Sequence, residues 1–289
     1  MHLPHDPLWP RAASLFNAVE NSESDLTIVG VPAHSTSISE TGAHHTPLAV
    51  RAALARYSLS HSNPLVDLSR LTLRDAGDVN TPDVNEEETI AQLEKVISTS
   101  RLAVAIGGDN SITYSVARAA KTSGLITLDA HYDLRDGISN GSPVRRLIEA
   151  GLDGKKVVQI GIADFSNSPE YARRAKELGI TVIHRSALRG HKIEDIWSRA
   201  LSVAGDNVHV DIDMDVCDRS VVPACPAAAP GGISADELRQ FAFLIGSSSQ
   251  VRSVDITEID STKDSLDQRT IRLAALAILE IAAGLSARE

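Results

Sequence analysis

Two short segments carry acids at every second position. Asp129-Ala130-His131-Tyr132-Asp133 follows the apolar run Leu125–Leu128, and Asp211-Ile212-Asp213-Met214-Asp215 continues the run Val208–Ile212. Residues i, i+2 and i+4 of an extended chain share a face, so Asp129, His131 and Asp133 can converge on one point. A row of like charges is unfavourable unless something cationic sits against it. Ile212 and Met214, lying between the acids, mark that segment for burial. A pair of divalent ions bridged by carboxylates would turn the repulsion into coordination. Oxygen-rich ligands with a single imidazole suit Mn²⁺ better than Zn²⁺, whose sites favour Cys and His. One Asp-x-Asp would read as solvated acids at a loop start, but two alternating clusters after apolar strands favour metal. A third segment, Gly107-Gly108-Asp109-Asn110-Ser111, reads by itself as a common strand-to-helix turn.

These segments must be held by strands. Val- and Ile-rich runs recur at Leu26–Val31, Leu102–Ile106, Leu125–Leu128, Lys156–Ile162, Ile180–Ile183, Val208–Ile212 and Val251–Ile256, the pattern of strands buried on both faces. Helical spacing fills the intervals: 47–57, 86–98, 111–121, 143–150, 169–178, 191–203, 234–245 and 266–283, with Pro47, Pro143 and Pro169 at first helical positions. Regular alternation predicts a single α/β domain over residues 1–289, a mostly parallel sheet between two helical layers. Ligands of such folds gather beyond the carboxyl ends of the strands.

Composition narrows the partners. The 289 residues carry 38 Asp+Glu against 28 Lys+Arg, a formal charge of −10, which leaves no cationic surface for nucleic acid or an anionic membrane. Cys217 and Cys225 are too few for a disulfide scaffold or a Cys-rich zinc module. No apolar run reaches the roughly 18–20 residues of a membrane span, and Met1-His2-Leu3-Pro4-His5-Asp6-Pro7 lacks the basic and apolar regions of a signal peptide. The expectation is a cytoplasmic protein acting on a small molecule.

Taken together, the segments resemble the ureohydrolase family of arginases, agmatinases and formimidoylglutamases. Gly42 to Arg51 looks like the family's N-terminal Gly…Pro…Arg segment, and Asp75-Ala76-Gly77-Asp78-Val79 like its Asp-x-Gly-Asp element. Gly107–Ser111, Asp129–Asp133 and Asp213–Asp218 correspond to its three metal motifs, and Asp255-Ile256-Thr257-Glu258 to its late acidic motif. The resemblance implies an arginase-like fold and two manganese ions. Asp129 and Asp213 would bridge them, Asn110 and Asp133 would join the first, and His131 and Asp215 the second. A bridging hydroxide is the family's nucleophile, and Glu258 matches the residue that receives an amidine or guanidine. Relatives are commonly trimers or hexamers, so a homo-oligomer is expected by analogy.

Two positions depart from the pattern. Asn110 replaces a ligand histidine, and an amide oxygen is the weaker donor, so the first metal should bind less tightly. Asn140 replaces a proton-shuttling histidine, and an amide cannot titrate. Formimidoylglutamases resemble the chain at Asn140-Gly141-Ser142-Pro143 and at Asp133-Leu134-Arg135. The implied reaction is hydrolysis of N-formimino-L-glutamate, a step of histidine degradation, with Asp133 and Glu258 catalytic and Asn140, Ser142 and Glu258 at the substrate. Arg135 is either a cation for the substrate's carboxylates or an ordinary surface arginine. Two alternatives stand: an agmatinase-like or guanidino-acid hydrolase releasing urea, and a metal-impaired homologue acting as a binding or assembly protein. His44, His45 and both cysteines read as loop or packing residues. Asp211 stands where relatives often have a small polar residue.

Overall fold

β-Branched side chains dominate the apolar runs and pack well on a pleated surface covered from both sides. In the computed structural model, which describes residues 6–17 and 23–288, those runs are the strands of one sheet. Nine strands occur among the described residues: β1 (Phe16–Asn17), β2 (Ser24–Val31), β3 (Leu73–Asp78), β4 (Ser100–Gly107), β5 (Gly124–Leu128), β6 (Val157–Ile162), β7 (Thr181–His184), β8 (Val208–Asp213) and β9 (Val251–Thr257). Their order is β1-β3-β2-β4-β9-β8-β5-β6-β7, and every pairing is parallel. Met1 to His5 of the N-terminal stretch lie outside the described residues.

Among the described residues eight α-helices occur, seven between strands and α8 after the last: α1 (Thr46–Leu54), α2 (Glu86–Ser98), α3 (Ile112–Ala119), α4 (Pro143–Glu149), α5 (Pro169–Glu177), α6 (Ile193–Ala204), α7 (Ala235–Ser247) and α8 (Arg269–Ser286). Their starts are written locally. Asn85 accepts from the Glu88 amide to cap α2, and Ser234 with Glu237 forms a reciprocal capping box on α7. Val50, Leu54, Ile196, Leu238 and Ile278 place α1, α6, α7 and α8 against one face of the sheet. Leu93, Ile97, Ile112 and Val116 cover part of the other face, and Leu147 and Ala175 the rest. The result is the three-layer αβα arrangement that the alternation predicts, with the sheet parallel throughout.

Two strands escape the hydrophobic pattern. Leu73–Asp78 carries three acid or arginine side chains and only its first two residues are buried, so no apolar run announces it. It becomes β3 because its backbone fits between β1 and β2, while Arg51 binds Asp75, Asp78 and the Gly77 carbonyl at its end. The two-residue β1 is shorter than any periodicity can show. No helix among the described residues is long and apolar enough to cross a membrane.

Candidate metal centre

The four central strands, β4, β9, β8 and β5, end together, and each delivers one motif at its carboxyl end. Asn110 follows β4, Asp129 to Asp133 follow β5, Asp213 closes β8 with Asp215 in the next turn, and Glu258 follows β9. The turn after β4 passes so close to β2 that a Cβ on Gly108 would lie 2.0 Å from the Ala33 carbonyl oxygen, so only glycine fits. Asp133 and Glu258 adopt left-handed backbone conformations, φ 51° and 61°. Such conformations are uncommon for side chains of this size and concentrate where function demands a fixed direction.

Three of the expected ligands form a tight group among the described residues, which does not include Asp133 or Asp213. One ligand atom each of Asp129, His131 and Asp215 lies within 4.8 Å of the other two. His131 Nδ1 is 3.0 Å from Asp215 Oδ2 and 3.5 Å from Asp129 Oδ1. Backbone amides set the directions: His131 N–H donates to Asp129 Oδ1, Asp215 N–H to Asp213 Oδ1, and Ala130 N–H to Asp215 Oδ1. Asp129 is fully buried, and its Oδ2 has no hydrogen-bond partner.

Charge in this space is poorly compensated. Burial, joined by the Asp215 carboxylate, pushes Asp129 up to about 6. Burial and the neighbouring carboxylates hold Asp133 and Asp213 well above the usual carboxylate range. Burial acts against the His131 cation, but Asp215 and Asp129 outweigh it and drive its pKa to about 12. Burial likewise opposes ionisation of Asp215, and His131 reverses that, leaving its pKa lowered. One imidazolium therefore neutralises one of four acids. The residues fit divalent ions: several carboxylate oxygens, one imidazole, and a buried oxygen of Asp129 with nothing bound to it.

Asn110 points differently from the expectation that its oxygen serves a metal. That oxygen accepts the hydroxyls of Thr113 (2.8 Å) and Thr257 (2.9 Å), and the amide nitrogen donates to Asp133 Oδ2 at 2.5 Å. In this arrangement Asn110 fixes Asp133.

Beside the acids lies a cavity of about 290 Å³, lined among others by His131, Asp133, Asp213, Asp215, Glu258, Arg135, Asn140 and Tyr171. Burial raises Glu258 to about 7 despite donors from Asn140 and the Asn110 backbone. Arg135 borders the cavity, and among the described residues no carboxylate pairs with its guanidinium. A Cβ on Gly141 would stand 2.7 Å from Arg135 Cδ, so the glycine lets that side chain lie across the loop. Ser142, expected at the substrate, is fully buried. Its hydroxyl donates to the Ser139 carbonyl and accepts from the Ser139 amide, which closes the loop and keeps it out of the cavity.

The sequence reading did not single out Tyr171 on α5 or Ile38 and Ser39, which complete the cavity from distant parts of the chain. Asn167 holds the second motif from outside, accepting from the Tyr132 amide and donating to the Ala130 carbonyl. The alternation of Asp211 with Asp213 was visible, but its partner was not. Asp211 sits directly opposite Asp255 on β9, both fully buried; among the described residues no donor outside this pair reaches Asp211, and burial with the Asp255 carboxylate holds it well above the usual carboxylate range. Asp255 takes one contact from His209 Nε2 at 3.2 Å. The rings of His34, His44 and His45 lie against one another at a tilt (4.2 and 3.9 Å between centroids), with His34 paired to Asp83.

The chain is similar in sequence and fold to known proteins. The sequence model described as the Arginase family matches residues 24–284. A formimidoylglutamase of Halalkalibacterium halodurans is 36% identical over 95% of this chain and 92% of its own length. The crystal structure of the Bacillus subtilis formimidoylglutamase superposes with a TM-score of 0.92 at 29% identity, covering 99% of this chain and 94% of that one. A Trypanosoma cruzi formiminoglutamase solved with Mn²⁺ superposes with a TM-score of 0.90 at 26% identity, over 97% of this chain and 100% of its own.

Proposed function

The chain belongs to the arginase family, and we propose that it is a manganese-dependent hydrolase of the formimino C–N bond of N-formimino-L-glutamate. Water adds to the formimino carbon, the bond to the glutamate nitrogen breaks, and L-glutamate and formamide leave. The observation that carries this reading is the cavity: its lining includes Glu258, which suits a cationic nitrogen end, and Arg135, which suits a carboxylate tail. The names of the most similar relatives support the same substrate.

Asp129, His131, Asp133, Asp213 and Asp215 would hold two Mn²⁺. Bound there, the ions supply positive charge beside the substrate and bring the pKa of water toward neutrality. The chain's own groups do the rest. Asp133, fixed by Asn110, takes a proton from the adding water and passes it to the departing nitrogen. Glu258, steadied by Asn140 and the Asn110 amide, binds the terminal nitrogen. Arg135 positions the tail. The two cysteines are free thiols buried in the fold, which suits a reducing cytoplasm.

Incubation of the Mn²⁺-loaded protein with formiminoglutamate, agmatine, guanidinobutyrate and arginine tests the reading. Formamide from the first is the expected product. Urea from any of the others, with no turnover of formiminoglutamate, would overturn it.

A further inference from the structure

Glu258 meets its substrate with half of its carboxylate already in use. Oε1 accepts two N–H groups, the Asn110 backbone amide at 2.8 Å and Asn140 Nδ2 at 2.8 Å. A carboxylate oxygen has two lone-pair sites, so Oε1 is saturated. Oε2 has no partner among the described residues, and Glu258 borders the cavity, so one acceptor is left for a ligand.

Asn140 is itself held firmly in place. Its Oδ1 accepts from the Ile38 amide at 3.1 Å, and its own backbone amide donates to the Thr36 carbonyl. Both ends of the side chain are therefore committed, one to Glu258 and one to the loop that forms the cavity's rim.

We propose that Asn140 sets the preference for a formimino over a guanidino group by masking the second acceptor of Glu258. This rests on the function proposed above. A guanidinium presents a fork of parallel N–H donors that a carboxylate matches with both oxygens. A formimino group has a hydrogen on carbon where the guanidino group has a second terminal nitrogen. One free oxygen satisfies its single terminal nitrogen. The guanidino group's extra N–H donors would be buried against the saturated oxygen without an acceptor, and unpaired buried donors are strongly disfavoured. The masking also fits the residue type: an amide donates to the carboxylate at every pH and adds no charge.

The test compares kcat/KM for formiminoglutamate with that for N-carbamimidoyl-L-glutamate, which differs only by an amino group replacing the formimino hydrogen. Asn140→Ala removes the donor to Glu258. Asn140→Asp also removes it but keeps an acceptor for the Ile38 amide, so loosening of the rim loop is controlled. Both variants should shift the ratio toward the guanidino compound by about tenfold or more, whatever happens to the absolute rates. A merely structural loosening would lower both rates and leave the ratio alone. A ratio within about twofold of the parent in both variants would overturn the proposal. Should the parent fail to hydrolyse formiminoglutamate, the proposed function falls. The masking is then judged by dissociation constants of the two compounds with Mn²⁺-loaded protein: a gain for the guanidino compound in both variants supports it, and no gain overturns it.

Discussion

Asn110 donates its amide nitrogen to Asp133 Oδ2, and the hydroxyls of Thr113 and Thr257 occupy its oxygen. A side chain expected from the sequence to serve a metal thus secures a neighbouring acid. To bind a metal through its oxygen, it would first have to leave two hydroxyl donors.

Manganese should therefore load in two unequal steps. Calorimetric titration of metal-free protein is expected to resolve one tight site and a second weaker by about tenfold or more. Two sites of equal affinity would contradict the role given to Asn110. Chelation should also lower the melting temperature, because ions that bind only the folded chain stabilise it by mass action.

Arg135→Ala should raise KM for formiminoglutamate by about tenfold to a hundredfold and change kcat little, the loss of one charged hydrogen bond. Gly141→Ala should move KM in the same direction, because the new Cβ would collide with Arg135 Cδ. If kcat falls and KM stays constant, Arg135 does not hold the tail.

Asp211→Asn should stabilise the metal-free protein by about 1 kcal/mol or more, seen as a higher melting temperature. Asp211 and Asp255 are adjacent, fully buried acids, and an amide at position 211 removes one ionisable group from the pair while still offering Asp255 a donor. A lower melting temperature would show that the carboxyl group at 211 serves the fold.

Cys217 and Cys225 should resist alkylation until the protein unfolds. Both are fully buried, and burial pushes both thiols up, so the reactive thiolate is scarce. Labelling in native buffer at the rate of a free thiol would contradict their burial.

Much of the architecture was legible because burial on both faces writes itself as unbroken Val/Ile runs. Seven strands and eight helices could be placed that way. Leu73–Asp78 could not, since the sheet recruits it through its backbone and through Arg51. Lateral order was likewise hidden: nothing in Val251–Ile256 says that it lies between β4 and β8. At the site, residue types and spacing named the acids, but orientation depends on distant partners. Thr257, 147 residues away, turns the Asn110 amide. Ser142 shares its tetrapeptide with Asn140 yet faces the loop, a distinction made by the Ser139 backbone.

The position of β9 has a consequence for the order in which the molecule can be built. Among the described residues it is the last strand in sequence, yet it alone joins the β1-β3-β2-β4 half of the sheet to the β8-β5-β6-β7 half. A nascent chain that has not yet released Val251–Thr257 from the ribosome holds two half-sheets, each with an open inner edge, and lacks Glu258. Structural closure and the Glu258 carboxylate thus arrive together. A chain ending before Val251 should therefore expose two unpaired edges prone to aggregation, detectable by dye binding, and turn over no substrate.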